Sequence, residues 1–468
     1  MIKCTGKKHY VLLAMTMLLM MAISSVALAA DWSLAGDIGA HDPALTKEGN
    51  TWWLFHTGTG IPVKYSGDGV NWTQGIPIFS SDLSWWANYA PNYDPDNSVW
   101  APDIEYYNGR WWLYYSVSEF GTRNSAIGLV SASSIATGDW REDGMVISSS
   151  QSGTSYNAID PNLIIDSSNN PWLVFGSWSD GIHITRVDKN TMKPTGTIYS
   201  IASRYVGSTP AGLEGANITY HDGYYYLFAS IDKCCKGVES DYKIVYGRSS
   251  NITGPYIDRN GIDMRDGGGT VLTASDSRYK GHGGQDVYNN LLVHHAYDAN
   301  NNGAPVLRIK NLYWSNGWPT LNDGYKKGFY KLQNRNSGKY LEVASADIAD
   351  GANIQQWGDT GHATQEWMLY PIGGGYYRLQ NRNSLKYLEV ANADTADGAN
   401  IQQWENTAHA TQEWQLVNVG NGYYKLINRN SGKAIEVYNL STEDGGNVAQ
   451  WTDLGGTNQQ WKLIWVSY

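Results

Sequence analysis

Five polar residues recur in one setting, each shortly ahead of a short apolar run, a polar turn and an aromatic or apolar run. Asp42 lies in His41-Asp42-Pro43, ten residues before Trp52, and Asp103 in Ala101-Pro102-Asp103, eight before Trp111. Asp160, in Asn157-Ala158-Ile159-Asp160-Pro161-Asn162, precedes Trp172 by twelve, and Glu214, in Leu213-Glu214-Gly215-Ala216, precedes Tyr225 by eleven. His282, in Gly281-His282-Gly283-Gly284, precedes Leu291 by nine. A single Asp-Pro is ordinarily a turn former or strand cap. A set of carboxylates directed at one place repels itself unless spacing, protonation or a cation relieves it, which is the raw material of acid–base chemistry.

The elements that would hold these residues are strands. The turns Glu48-Gly49-Asn50, Asn108-Gly109, Ser168-Asn169-Asn170, Asp222-Gly223 and Asn289-Asn290 each separate an apolar run from the next run, and such turns are strong hairpin signals. The second runs recur at spacings of 59, 61, 53 and 66 residues, with room in each unit for two further strands. Four strands per unit, five times over, predict an all-β, five-bladed propeller whose first strands line a central channel. This arrangement places Asp42, Asp103, Asp160, Glu214 and His282 near one mouth.

A second domain follows. Tyr330-Lys331-Leu332-Gln333-Asn334-Arg335-Asn336-Ser337 returns at Tyr377 and again at Tyr424, with a period of 47 residues. Each copy ends twice on a Gln-x-Trp-like motif, as at Trp357 and Trp367. Three such units close a pseudo-threefold β-trefoil, with the second tryptophans, Trp367, Trp414 and Trp461, in its core. The division expected is a leader over 1–30, the propeller over 31–322 and the trefoil over 323–468. The short join at Leu321-Asn322-Asp323-Gly324-Tyr325 sets the two domains against each other.

Lys3, Lys7 and Lys8 ahead of the apolar run from Tyr10 to Met21, then Ala27-Leu28-Ala29, read as an export signal, so a secreted, extracellular protein is expected. No later stretch is long and apolar enough to span a bilayer. The formal charge of −10 becomes −13 once the three leader lysines are removed, which argues against nucleic acid and anionic membranes as partners. With 21 Trp and 33 Tyr against 6 Phe, the aromatics are mostly amphipathic and suited to sugar-facing surfaces as well as to sheets. Beyond Cys4 in the leader, only the adjacent Cys234 and Cys235 remain. A vicinal disulfide is strained, so two free thiols are expected.

The segment 31–322 resembles glycoside hydrolase family 43, and within it the endo-acting α-1,5-L-arabinanases. The motifs that carry the resemblance are His41-Asp42-Pro43, Val99-Trp100-Ala101-Pro102-Asp103-Ile104, Tyr156-Asn157-Ala158-Ile159-Asp160-Pro161 and Leu213-Glu214-Gly215-Ala216. It implies hydrolysis of arabinan or pectic polysaccharide with inversion, by a monomer, Asp42 activating water as base and Glu214 protonating the leaving oxygen as acid. Asp160 would raise the pKa of that acid and orient it, while Trp100 and Asn157 would touch the sugar chain. Asp103 falls outside this triad and is expected to be structural. An exo-acting arabinofuranosidase, a xylan-directed hydrolase of the same fold and a non-catalytic sugar-binding protein are the alternatives.

The same resemblance implies a calcium ion on the channel axis, with His282 as its ligand. From the residues alone His282 could equally be a buried hydrogen-bonded histidine or a substrate contact, and His294 and His295 are rivals for the cation. The C-terminal part resembles ricin-type lectins and carbohydrate-binding module family 13. Carried over, the sugar-binding sets are Glu342, Gln355, Trp357 and Gln365, then Glu389, Gln402, Trp404 and Gln412. The third set is Glu436, Trp451, Asn458 and Gln459, with Ala449 where the others have glutamine.

Overall fold

The computed structural model describes residues 31–321, 325, 328–373 and 375–467. The expected leader, and the domain boundary at 322–323, lie outside them. Among the described residues the only helices are short 3-10 turns, and no helix is long and apolar enough to cross a membrane.

Four blades have four antiparallel strands each, and in blade one Ala35–Gly36 adds a short parallel fifth at the outer edge. They begin with Ala44–Glu48, Trp100–Tyr107, Asn162–Ile165 and Leu213–His221, and each of these strands pairs with the aromatic run that follows its hairpin. The expected turns are all present. Asn108-Gly109, Asp222-Gly223 and Asn289-Asn290 take positive φ at both residues, as a tight two-residue hairpin requires. Blade five departs from the pattern: it has three strands, Tyr279–Tyr288, Leu291–Asp298 and Ala304–Asn311. Its outer edge is covered by the start of the described chain, where Asp31 bridges to Lys310 and Gly39 to Val306. First and last segments thus close the ring together.

Strand alternation explains how the ring packs. Trp111, Leu113 and Tyr115 face blade one, while Trp112 and Tyr114, one residue out of phase, face blade three. Every blade is therefore apolar on both faces, and the propeller has five separate cores, one at each of its five blade interfaces.

In the C-terminal part, Phe329–Asn334, Tyr376–Asn381 and Tyr423–Asn428 pair with Trp367–Gly373, Trp414–Gly420 and Trp461–Ser467 to close a six-stranded barrel. Three further hairpins cap it. Trp367, Trp414 and Trp461 are fully buried, each donating its indole N–H to a backbone carbonyl.

Candidate active site

The channel mouth is built by one backbone device used five times. At the head of each innermost strand sits a residue in the left-handed region: Asp42 (φ 46°), Ala101 (41°), Asp160 (55°), Gly215 (59°) and Gly284 (55°). Its N–H turns out of the ladder and, in four blades, donates to a side chain on the second strand of the preceding blade or just past its end. Asp42 donates to His295 Nδ1 (3.1 Å), Ala101 to Thr57 (2.9 Å), Asp160 to Ser116 (3.0 Å) and Gly284 to Ser230 (3.0 Å). Blade four breaks the pattern. Gly215 N–H goes to Asp160 Oδ2 (2.9 Å), and Ser177, freed from that duty, donates to Glu214 Oε2 (2.6 Å). Asp160 thereby fixes the backbone that carries Glu214.

This frame corrects the register read from the sequence. Only Asp42 and Asp160 occupy the left-handed position; Glu214 stands one residue before it, Asp103 two residues after it and His282 two before. Asp42, Asp160 and Glu214 converge on the wall of one cleft of about 810 Å3. Asp103 instead points into a small axial cavity beneath, where it clamps blade three by accepting from Asn162 Nδ2 (3.0 Å) and Leu163 N–H (2.7 Å). Asp286 clamps blade one in the same way through Leu45 N–H (2.8 Å). His282 lies off the channel in blade five, 1% exposed and 5.0 Å from His294. Burial first, then the nearby Lys310, push its pKa down to about 4 against the charges of Asp276 and Asp31, and both of its ring nitrogens are buried without a partner among the described residues.

The three carboxyls of the cleft differ in charge. Burial pulls Asp42 upward, but His41 and His295 outweigh it and hold it well below the usual carboxylate range. Its Oδ2 receives His41 Nδ1 and Thr57 Oγ1, both at 2.7 Å. The nearest polar contact of Oδ1 is His295 Nδ1 at 3.4 Å, a nitrogen already accepting the Asp42 N–H, so Oδ1 is left open to take a proton. Glu214, bonded by Ser177 and Tyr242, is pushed up to about 7, chiefly by burial and further by the charge of Asp42. Burial also lifts Asp160 well above its ordinary value, with Glu214 adding to it. Desolvation is the largest cause that keeps the proton on Glu214, and the mutual repulsion of Glu214 and Asp160 disfavours ionising both. One ionised carboxylate and one protonated carboxyl facing the same cleft can act as base and acid.

Trp100 lines the cleft as expected and meets the exposed Phe120 edge to face at 6.4 Å, giving a sugar-sized aromatic ledge. Asn157 does not reach the cleft. It is buried, its Oδ1 accepting from Ser125 (2.8 Å), and it braces the wall from behind. Cys234 and Cys235 form a vicinal disulfide on the cleft wall, where free thiols were expected. Thr57, Ser177, Tyr242, Phe120 and Tyr297 were not singled out from the sequence. A signal for part of this set exists: Thr57, Ser116, Ser177 and Ser230 stand five residues past Trp52, Trp111, Trp172 and Tyr225 respectively.

In the trefoil, Glu342 accepts from Gln355 Nε2 and Gln365 Nε2, both at 2.9 Å, and Glu389 is bonded likewise by Gln402 and Gln412. Gln365, Gln412, Gln459 and Asn458 are buried, so they support the sites from beneath rather than face solvent. The accessible members are Trp357, Trp404 and Trp451 with Gln355 and Gln402. In repeat three Ala449 leaves Glu436 with Gln459 but without the other glutamine, and Tyr438 comes to 6.0 Å from Trp451.

Comparison with known proteins agrees with this geometry. Residues 37–319 match the model of glycosyl hydrolases family 43, and residues 313–404 and 410–467 match that of ricin-type beta-trefoil lectin domain-like proteins. The chain is 51% identical over 317 residues to extracellular endo-alpha-(1->5)-L-arabinanase 1 of Bacillus subtilis, covering 67% of this chain and 96% of the relative. It is 38% identical over 307 residues to the extracellular exo-alpha-(1->5)-L-arabinofuranosidase ArbA of Cellvibrio japonicus, covering 62% and 88%. The solved GH43 endo-arabinanase from Bacillus licheniformis superposes with a TM-score of 0.60 at 58% identity, covering 62% of this chain and 99% of that one. With an ionised and a protonated carboxyl in one propeller cleft, and with the family match spanning more than half its length, the chain belongs to glycosyl hydrolases family 43 and is a glycoside hydrolase.

Proposed function

We propose that the protein hydrolyses the α-1,5-L-arabinofuranosidic bonds of arabinan from within the chain, with inversion. The observation that carries this is the opposed charge state of Asp42 and Glu214 in one cleft. Asp42 Oδ1 takes a proton from water as the water oxygen bonds to the anomeric carbon. Glu214 gives its proton to the departing glycosidic oxygen as that bond breaks, and Asp160 holds the Glu214 backbone in place. Glu214→Gln is expected to abolish hydrolysis of linear arabinan and leave polysaccharide binding intact; retained hydrolysis overturns the assignment. Endo action is supported by the relatives named as endo-arabinanases, at 51% and 58% identity, against 38% for the exo-acting one. Mixed oligosaccharides early in a digest of debranched arabinan are the expected product, and arabinose alone would favour exo action.

Export is supported by the leader-like first thirty residues and by relatives named extracellular. The trefoil retains the enzyme on its polysaccharide by stacking sugars on Trp357, Trp404 and Trp451. For the expected calcium, oxygens that fit lie around the axial cavity: Asp103, Asp286 and the unpaired, buried Asn217 Oδ1. Burial lifts Asp103 to about 6 and Asp286 to about 7, the state of carboxyls that lack a counter-charge, and a hard cation bound among oxygens would supply one.

A further inference from the structure

The vicinal disulfide is the least ordinary group on the cleft wall, and its backbone leads to the base. Cys235 N–H donates to Tyr297 Oη (2.8 Å), and Ser240 bonds to the same oxygen. Tyr297 Oη lies 2.7 Å from His41 Nε2, and His41 Nδ1 lies 2.7 Å from Asp42 Oδ2. The protons along this row can be assigned. With the Tyr297 oxygen accepting from Cys235 and Ser240, its own O–H is left to point at His41 Nε2. That makes Nε2 an acceptor, so the neutral imidazole carries its proton on Nδ1 and gives it to Asp42. His295, stacked on His41 at 3.7 Å, holds the ring plane, and its Nδ1 accepts the Asp42 N–H.

We propose that Tyr297, anchored by the Cys234–Cys235 turn, is a positioning residue that selects the His41 tautomer and thereby aims and charges Asp42. The disulfide fixes the turn so that the Cys235 N–H faces Tyr297; Cys235 takes positive φ (65°) there, a conformation an open dithiol chain has little reason to keep. The Cys235 sulfur also stands 4.0 Å from His41 Nε2, closing that side of the ring. This inference rests on the reading of Asp42 as the base.

The test uses the full chain and linear arabinan. Tyr297→Phe keeps the ring and removes the O–H; kcat is expected to fall about 10- to 100-fold with KM within about twofold. The acid limb of the kcat/KM profile is expected to move to higher pH, which a merely structural loss would not do. Dithiothreitol breaks the sulfur–sulfur bond, each sulfur ending with one proton, while the reagent closes to its cyclic disulfide. This reduction is expected to lower kcat of the wild type several-fold and to leave Tyr297→Phe unchanged. A Cys234→Ser, Cys235→Ser double variant should reproduce the reduced enzyme without the reagent. The inference is overturned if Tyr297→Phe keeps the wild-type kcat and pH profile, if reduction leaves the wild type unaffected, or if reduction slows both proteins by the same factor. Asp42→Asn separates the two readings: inactive Asp42→Asn beside an unaffected Tyr297→Phe sinks the relay alone, and active Asp42→Asn sinks the base.

Discussion

Replacing Glu214 by glutamine tests the electrostatics of the cleft through stability as well as activity. The amide can still meet Ser177 and Tyr242 but cannot ionise. In the folded protein the Glu214 carboxyl is lifted from 4.5 to about 7, mainly by burial. A group raised in this way stabilises the fold fully below its unfolded value, and that contribution is lost as pH rises through about 7. At about 1.4 kcal/mol per pH unit, the ionised carboxylate costs about 3 kcal/mol at pH 8, or about half of that if Asp160 shares the proton. Glutamine escapes this cost. The variant should melt with the wild type at about pH 4 and higher at about pH 8 by roughly 6–12 °C, or half of that if the proton is shared, taking about 2–4 °C per kcal/mol for a domain of this size. Calorimetric scans across that range read the difference directly. An offset independent of pH, or a lower melting temperature at pH 8, would refute the claim that burial holds the proton on this site.

Gly284→Ala would place a Cβ 2.1 Å from Asp42 Oδ1 and 2.9 Å from His295 Nδ1, on a residue of positive φ. A displacement of this order is expected to cost about 100-fold in kcat on arabinan, and near-normal turnover would contradict the placement of Asp42. Exhaustive chelation should lower the melting temperature of the propeller, and an unchanged temperature with no metal by elemental analysis counts against the axial cation. Trp404→Ala should weaken retention on insoluble arabinan at constant stability. Trp414→Ala, in the barrel core, should instead destabilise the trefoil by about 3–5 kcal/mol, and calorimetry beside a pull-down tells the two apart.

The blades were legible because strand pairing leaves period-two and hairpin marks that residue types reveal directly. The catalytic register was harder to read. Which residue at a strand head turns left-handed is decided by the bulge at the channel mouth, and Ala101 and Asp160 occupy the same position with unrelated side chains. In blade five three glycines around His282 offered several registers, and the one the fold takes turns that histidine away from the axis. Asn157 sits three residues before Asp160 in sequence yet behind the wall in space, in an irregular stretch ahead of the strand where no periodicity tells which way a side chain points. The Cys234–Cys235 bond depends on a turn whose conformation its sequence does not announce.

The ring closure has a consequence in time. Asp31 and Gly39 are made before any blade, yet their partners, Lys310 and Val306, are in the last strand of blade five. The most distant contact of the domain is therefore also the one that seals it, and such a topology folds slowly because closure must await the whole chain. A polypeptide delivered N-terminus first holds an unpaired edge until the fifth blade arrives. That delay keeps the chain open until its fifth blade has been made.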